Sequence, residues 1–367
     1  MAVESGPTAA APELRVEQAS SLEEVREVWS ELAEASGNLF STWEWAAAWW
    51  EHYGEGRPLR VDVCRDREGA PVAILPLYEA KRRPVRVLRL IGHGPADELG
   101  PVCEPGAPGV AEALIEATRS CRADVLLADR LPADRPPAGR ESWAEALGGR
   151  LLLHDSSPTI EIAGTTWEEY LQGRSSNFRS QVRRKERKLE REHGLRYRLC
   201  DDPGRLPRDL EALFELHRAR WEEEGSGALE GSRQDFHRDF AAIALERGWL
   251  RLWIAEAGEK PIAVWYGFRF GGADLYYQMG RDPDWERSSV GLVLLAHTVR
   301  EAIADGQRQY KLLRGGEGYK DRFATGDPGI DTVASAVDAR GRLAVAAASR
   351  GLSLPSFVRR RLTRAVG

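Results

Sequence analysis

The chain repeats itself, and the repeat limits what it can fold into. Residues 59–77, LRVDVCRDREGAPVAILPL, correspond to residues 250–268, LRLWIAEAGEKPIAVWYGF. Each stretch opens on Leu-Arg with alternating apolar residues, crosses a charged turn containing glycine, and resumes at Pro-Val-Ala or Pro-Ile-Ala. Alternation on both sides of a glycine turn predicts a β-hairpin. Arg60 aligns with Arg251 and Pro71 with Pro261. The surroundings correspond as well. An aromatic-rich helical stretch lies upstream of each hairpin, at 43–50 and at 217–240. Downstream, a helix at 110–121 with a strand at 124–128 matches a helix at 290–304 with a strand at 309–313. The sequence therefore predicts a duplicated α/β fold with mixed sheets.

The second half reads more clearly. Strands at 250–255, 262–270 and 273–279 form an antiparallel meander, a helix follows over 289–304, then a strand at 309–313. A last strand is expected at 330–337, within the second unit. Antiparallel strands, a crossover helix and another strand make a mixed sheet. The predicted division is a disordered leader at 1–12, an N-terminal domain at 13–157, a C-terminal domain carrying the site at 158–345, and a basic tail at 346–367.

Composition narrows the function. With 367 residues, 42% of them hydrophobic, and 12 tryptophans, the chain fills two cores. A net charge of −5 argues against wholesale nucleic-acid binding. The four cysteines are widely spaced and the seven histidines scattered, so no metal is expected and the cysteines read as reduced, cytoplasmic thiols. No apolar run is long enough to predict a membrane span.

Three stretches carry candidate chemistry. Between strand and helix lies Gly280-Arg-Asp-Pro-Asp-Trp-Glu-Arg-Ser-Ser-Val-Gly-Leu. A strand opening into a helix presents unpaired N–H groups to a pyrophosphate such as that of coenzyme A. Ser289, Val290, Gly291 and Leu292 would form that cradle, with Ser288 or Ser289 as cap, Arg287 as a nearby cation and Gln278 as a partner for a donor amide. The alternative is an ordinary capped helix. The second stretch, Arg314-Gly-Gly-Glu-Gly-Tyr-Lys-Asp-Arg-Phe, combines three glycines with Glu317, Tyr319 and Lys320. It is the best catalytic candidate, joined by Asp97 in a Gly-His-Gly-Pro-Ala-Asp loop, where a turn-stabilising role is the alternative. The third stretch, 177–191, holds seven basic residues against two acidic ones. Its Arg179 and Arg183 suit a phosphate-bearing acceptor or a tRNA end, or simply a solvated helix face. His217 and Trp221, four apart, line an acceptor pocket or pack in the core.

These residues carry a family likeness. The stretches from Trp249 to Ala263, Tyr276-Tyr-Gln-Met-Gly, Ser289-Val-Gly-Leu-Val-Leu-Leu and Leu312-Leu-Arg-Gly-Gly-Glu-Gly-Tyr-Lys-Asp-Arg-Phe resemble the CelD-type acetyltransferases. So do Ser176-Asn-Phe-Arg-Ser-Gln-Val-Arg-Arg-Lys and Leu90-Ile-Gly-His-Gly-Pro-Ala-Asp. That family is a bacterial branch of the GNAT superfamily, related in architecture to the FemABX aminoacyltransferases. The resemblance implies two tandem GNAT-like acyltransferase domains, an acyl-CoA or aminoacyl donor, and an amine acceptor on a small molecule, amino sugar or peptide. It implies site roles for Lys320 and for the cluster around Arg179 and Arg183. The donor loop departs from the glycine-richer GNAT pattern, having one glycine in place. An aminoacyl-tRNA-dependent transferase and a non-catalytic partner in polysaccharide biosynthesis are the other readings. With an acyl-CoA donor, Glu317 or Asp97 would take the amine proton, Tyr319 would protonate the leaving thiolate, and Lys320 would stabilise the oxyanion.

Overall fold

A computed structural model describes residues 14–82, 85–104, 107–133, 143–221, 229 and 231–352. The predicted leader at 1–12 lies outside them, as does the predicted tail from 353 onward.

Two mixed sheets organise the chain. In the first, β1 (Arg15–Ala19) pairs with β2 (Leu59–Arg65), and β2 forms the predicted antiparallel hairpin with β3 (Pro71–Arg82). β4 (Val85–Leu90) continues the meander, and the short β5 (Val102–Cys103) also pairs with β3. β6 (Val125–Pro132) runs parallel to β4, and β7 (Arg150–Asp155) forms the far edge. In the second sheet the order is β8 (Thr159–Glu161), β13 (Gln309–Lys311), β12 (Ala273–Arg281), β11 (Lys260–Phe270), β10 (Leu250–Ala257) and β9 (Leu195–Leu199). Here β12 and β13 are the parallel pair, the counterpart of β4 and β6. The duplication read in the hairpins therefore extends to strand order and direction.

One strand departs from the sequence expectation. β14 (Ile330–Ala336), placed by sequence at the end of the second unit, lies in the first sheet between β6 and β7. The antiparallel place beside β13 is taken instead by β8, from residues 159–161. Alternation of apolar residues identifies a strand but does not specify which of two similar sheet edges it joins.

The helices fill both faces of the second sheet. α1 (Arg26–Ser36), α2 (Trp43–Tyr53), α3 (Val110–Arg119) and α4 (Trp143–Ala146) belong to the first half. The second half carries α5 (Trp167–Gln172), α6 (Ser176–His193), α7 (Leu206–Trp221), α8 (Ser232–Glu246), α9 (Val290–Ala304), α10 (Gly318–Asp321) and α11 (Ala339–Leu352). The single stretch expected at 217–240 is thus the end of one helix and most of another. α2 starts where the Thr42 side chain accepts from the Trp45 N–H at 3.3 Å. Its buried Trp45 meets Phe236 and Phe240 of α8 edge-on, with centroids 5.0 and 4.6 Å apart, so one core joins the two halves. A second core lies on the opposite face of the second sheet. There Phe178, Val182 and Leu189 of α6 and the apolar face of α9 cover Trp265, Tyr276 and Tyr310. Ser175 caps α6 and Gly194 ends it at φ 62°.

Candidate active site

The parallel pairing of β12 with β13 covers only Ala273–Leu275 against Gln309–Lys311. Beyond Leu275, β12 continues to Arg281 without β13 beside it. Within this stretch β12 is bulged: Gly267 pairs with Tyr276 and Tyr266 with Gln278, leaving Tyr277 as an extra residue. The bulge resets the alternation. Tyr276, Met279 and Arg281 all face α9, whereas Tyr277 and Gln278 face α7 and the core shared by the two halves.

A cavity of about 250 Å³ lies on the α9 side. Its walls come from Tyr276, Met279 and Arg281 of β12, Ser289, Gly291, Leu292 and Leu295 at the start of α9, Gln181 of α6, and Tyr319 and Arg322 around α10. Val293 is the first helical residue whose N–H reaches a carbonyl, that of Ser289 at 3.2 Å. The N–H groups of Val290, Gly291 and Leu292 precede it and have no helical acceptor. Gly291 keeps this end open. A Cβ there would stand 3.3 Å from both Arg281 Cδ and Met279 Sδ. Arg281 Nη2 donates to Glu286 at 3.2 Å, and Arg322 Nη2 donates to Gln181 Oε1 at 2.6 Å. Two guanidinium groups thus flank a helix N-terminus, a combination that suits a phosphate-bearing ligand. At the inner end the Tyr319 and Tyr276 hydroxyls are 3.3 Å apart.

Tyr319 belongs to the glycine-rich loop, and the next residue turns the other way. Lys320 is buried; its Nζ donates to the Arg314 carbonyl at 2.7 Å and the Leu313 carbonyl at 3.4 Å, and pairs with Glu317 Oε2 at 3.0 Å. All three ammonium donors are used inside the loop. Lys320 therefore clamps the turn, and the oxyanion role read from sequence has no free donor here. Gly315, at φ 123°, admits this turn, because side-chain-bearing residues rarely adopt that backbone conformation.

Asp97 faces the same loop from the first half. Arg130 Nη1 stands 3.7 Å from its carboxylate, donates to the Gly94 carbonyl at 2.9 Å, and also bonds the Ala96 carbonyl. Tyr277 Oη donates to the Pro95 carbonyl at 2.8 Å, fastening the Asp97 loop to β12. Burial raises the Asp97 pKa above the ordinary carboxylate value, against the pull of Arg130, Arg314 and Lys320. Beneath it, Asp129 holds Arg89 in a two-pronged ion pair and lies 3.3 Å from His93. Burial opposes the Asp129 charge, yet His93 and Arg89 hold its pKa down at about 2. Among the described residues, the non-glycine positions with positive φ are Arg130 (58°), Ser289 (58°) and Leu313 (55°). All three lie at these clusters, where strained backbone is held by its surroundings.

Comparison with known proteins fits this geometry. Residues 176–321 match the family model described as "Acetyltransferase (GNAT) domain". Residues 176–321 are thus similar to a GNAT acetyltransferase domain. Among solved structures, the fold resembles FemX at a TM-score of 0.60 and 12% identity, over 88% of this chain and 97% of FemX. It resembles the C-terminal domain of a putative lysylphosphatidylglycerol synthetase from Agrobacterium fabrum at 0.55 and 10% identity, over 89% and 96%. It also resembles L-PGS from Bacillus licheniformis at 0.53 and 12%, over 90% and 97%. These likenesses of fold cover both halves of the chain. No curated protein matches the chain in sequence.

The structure gathers some of the sequence-derived candidates and disperses others. Ser289, Gly291, Leu292 and Tyr319 line one cavity; Val290 belongs to the same first turn but is buried in the core. Ser289 is left-handed and makes no side-chain cap bond, so its expected capping role is absent. Gln278 is on the opposite face from the cavity, because the bulge inverted its direction. Arg287 is exposed, and only its carbonyl is engaged, by Lys185 Nζ at 2.5 Å. Arg179 donates to the Gln172 and Arg174 carbonyls at the end of α5, a structural role, while Arg183 lies exposed on α6. His217 is buried where α7 crosses Gly280, away from the cavity. The Trp221 side chain lies outside the described residues. Sequence reading missed Tyr276, Arg281, Gln181 and Arg322. The consecutive tyrosines of Tyr276-Tyr277 were the available sign of a bulge. Among the described residues no group of His, Cys, Asp and Glu side chains is arranged to hold a metal, and no helix is long and apolar enough to cross a membrane.

Proposed function

We propose that the protein transfers an acyl group from acyl-CoA to an amine of a small molecule, amino sugar or peptide. The observation that carries this reading is the cavity at the first turn of α9, where open N–H groups, Arg281 and Arg322 meet Tyr319. The pyrophosphate would rest on the N–H groups of Val290, Gly291 and Leu292, and the pantetheine arm would run along β12 toward Tyr276. The acceptor amine would approach from the side of Asp97 and Glu317. Its nitrogen attacks the thioester carbon; an N–C bond forms and the C–S bond breaks. Asp97, with its raised pKa, takes the proton lost by nitrogen, directly or through water, and Tyr319 protonates the departing thiolate. Lys320 positions this turn from beneath. A thermal-shift titration with CoA and acetyl-CoA tests the donor. Stabilisation by both supports the reading, and indifference to both contradicts it.

A second reading, aminoacyl transfer of the FemABX kind, is favoured by the likeness to FemX and by one face of α6. Arg183, Arg184, Arg187, Lys188 and Arg191 are all exposed there, a basic surface suited to a tRNA end. Turnover with aminoacyl-tRNA and indifference to CoA would select it. Indifference to both donors would favour a non-catalytic partner.

A further inference from the structure

We infer that the Tyr276–Tyr319 pair is an acyl-length gauge, restricting the donor to short acyl chains of about two to four carbons. The inference rests on the acyl-CoA reading above. Tyr276, Tyr319, Met279, Leu292 and Leu295 supply apolar wall to the cavity that Arg281 and Arg322 also line. In the gap left where β13 ends, β12 offers Tyr276, and its hydroxyl meets that of Tyr319 at 3.3 Å across the opening.

Behind Tyr276 there is no space. Its ring stacks on Trp265 at 5.8 Å with planes 18° apart, and Trp265 in turn contacts Tyr310 at 6.1 Å. Trp265 and Tyr310 are fully buried, and Tyr310 Oη is held by Thr298 Oγ1 at 2.7 Å. Trp265 cannot give way toward the sheet. Its indole already lies over Gly267, where a Cβ would come within 2.3 Å of the ring. Nor does the α6 side yield. Arg322 is tied to Gln181, and Phe178 meets Phe323 edge-on at 4.8 Å. An acyl chain entering with its thioester near Tyr319 therefore reaches the Tyr276 ring within a few carbons. Tyr276 takes this side by ordinary alternation from Leu275, and the bulge at Tyr277 keeps Met279 on the same face.

The test is equilibrium binding of free CoA and of acetyl-, butyryl-, hexanoyl- and octanoyl-CoA to the wild-type chain and to Tyr276→Ala. The wild type is expected to bind free CoA and acetyl-CoA alike and hexanoyl-CoA at least tenfold more weakly. Tyr276→Ala is expected to recover hexanoyl-CoA to within threefold of its own acetyl-CoA affinity. Should Tyr276→Ala fail to fold, Tyr276→Leu, which also removes the hydroxyl and half the ring depth, is expected to shift the limit in the same direction. A wild type that binds octanoyl-CoA as tightly as acetyl-CoA overturns the gauge, as does a folded variant with an unchanged length profile. Absence of free-CoA binding in the wild type overturns the donor reading itself, a result distinct from either.

Discussion

At the residue scale, Tyr319 and Lys320 are neighbours in sequence with separate tasks. Tyr319 lines the cavity at the start of α9, while Lys320 spends its donors on Leu313, Arg314 and Glu317. Tyr319→Phe is expected to lower kcat about 100-fold while leaving the Kd for acetyl-CoA within twofold, measured by thiol release and by calorimetry. Lys320→Met should instead cost about 2 kcal/mol of stability through its lost charged hydrogen bonds, read from denaturant melts. Asp129→Asn leaves Arg89 buried without its carboxylate and should cost about 3 kcal/mol. That Tyr319 and Lys320 share one glycine-rich turn was legible in the sequence. Their division of labour was not, because it depends on which way a four-residue helix turns. Arg281 and Arg322 were missed for a related reason. Each looks like an ordinary surface arginine until β12 and α6 bring it to the same cavity.

At the scale of elements, the bulge in β12 decides the site. The sequence offered Gln278 as a partner for a donor amide or for a neighbouring side chain, and the inserted residue places it on the face away from the cavity. Strands and hairpins were legible because apolar period fixes them, whereas a bulge needs the partner strand's register to be seen. Two helices carry buried histidines with a consequence for pH. His237 of α8 sits between the Tyr266 and Tyr277 hydroxyls at 3.4 and 3.3 Å, and burial, with Arg233 and His217 adding to it, lowers its pKa to about 3. His297 of α9 stacks on Tyr197 at 3.7 Å, and burial and Arg300 lower its pKa to about 3. The unfolded chain binds protons at these histidines below about pH 6.5, where the folded chain does not. The stability they contribute is thus fully present above pH 6.5 and lost as pH falls toward 3. Melting temperature should decline between pH 6.5 and 4.5, and His297→Phe should flatten that decline without moving its high-pH plateau downward by an equal amount. A decline of the same steepness in the variant would remove His297 from the account.

At the scale of the molecule, a shared strand and a shared aromatic core are among the links that join the two halves. β14 returns from the second unit to the first sheet, and Trp45 of α2 packs into the aromatic face of α8. The duplication itself was legible from two hairpins; the crossing of β14 to the first sheet was not, since its short apolar alternation fits either sheet edge. Deleting residues 330–352 is therefore expected to unfold the first sheet rather than trim the second, which hydrogen exchange at β6 and β7 amides would reveal. The central claim is that the first turn of α9 binds the nucleotide end of acyl-CoA. Gly291 has no positive φ, so Gly291→Leu is compatible with the helix while filling the cavity beside Met279 and Arg281. Calorimetric titration of acetyl-CoA into the wild type and Gly291→Leu tests the claim most directly. The account predicts saturable one-to-one binding by the wild type and at least a 50-fold loss in a variant that melts like the wild type; equal affinities, or no binding to either, would contradict it.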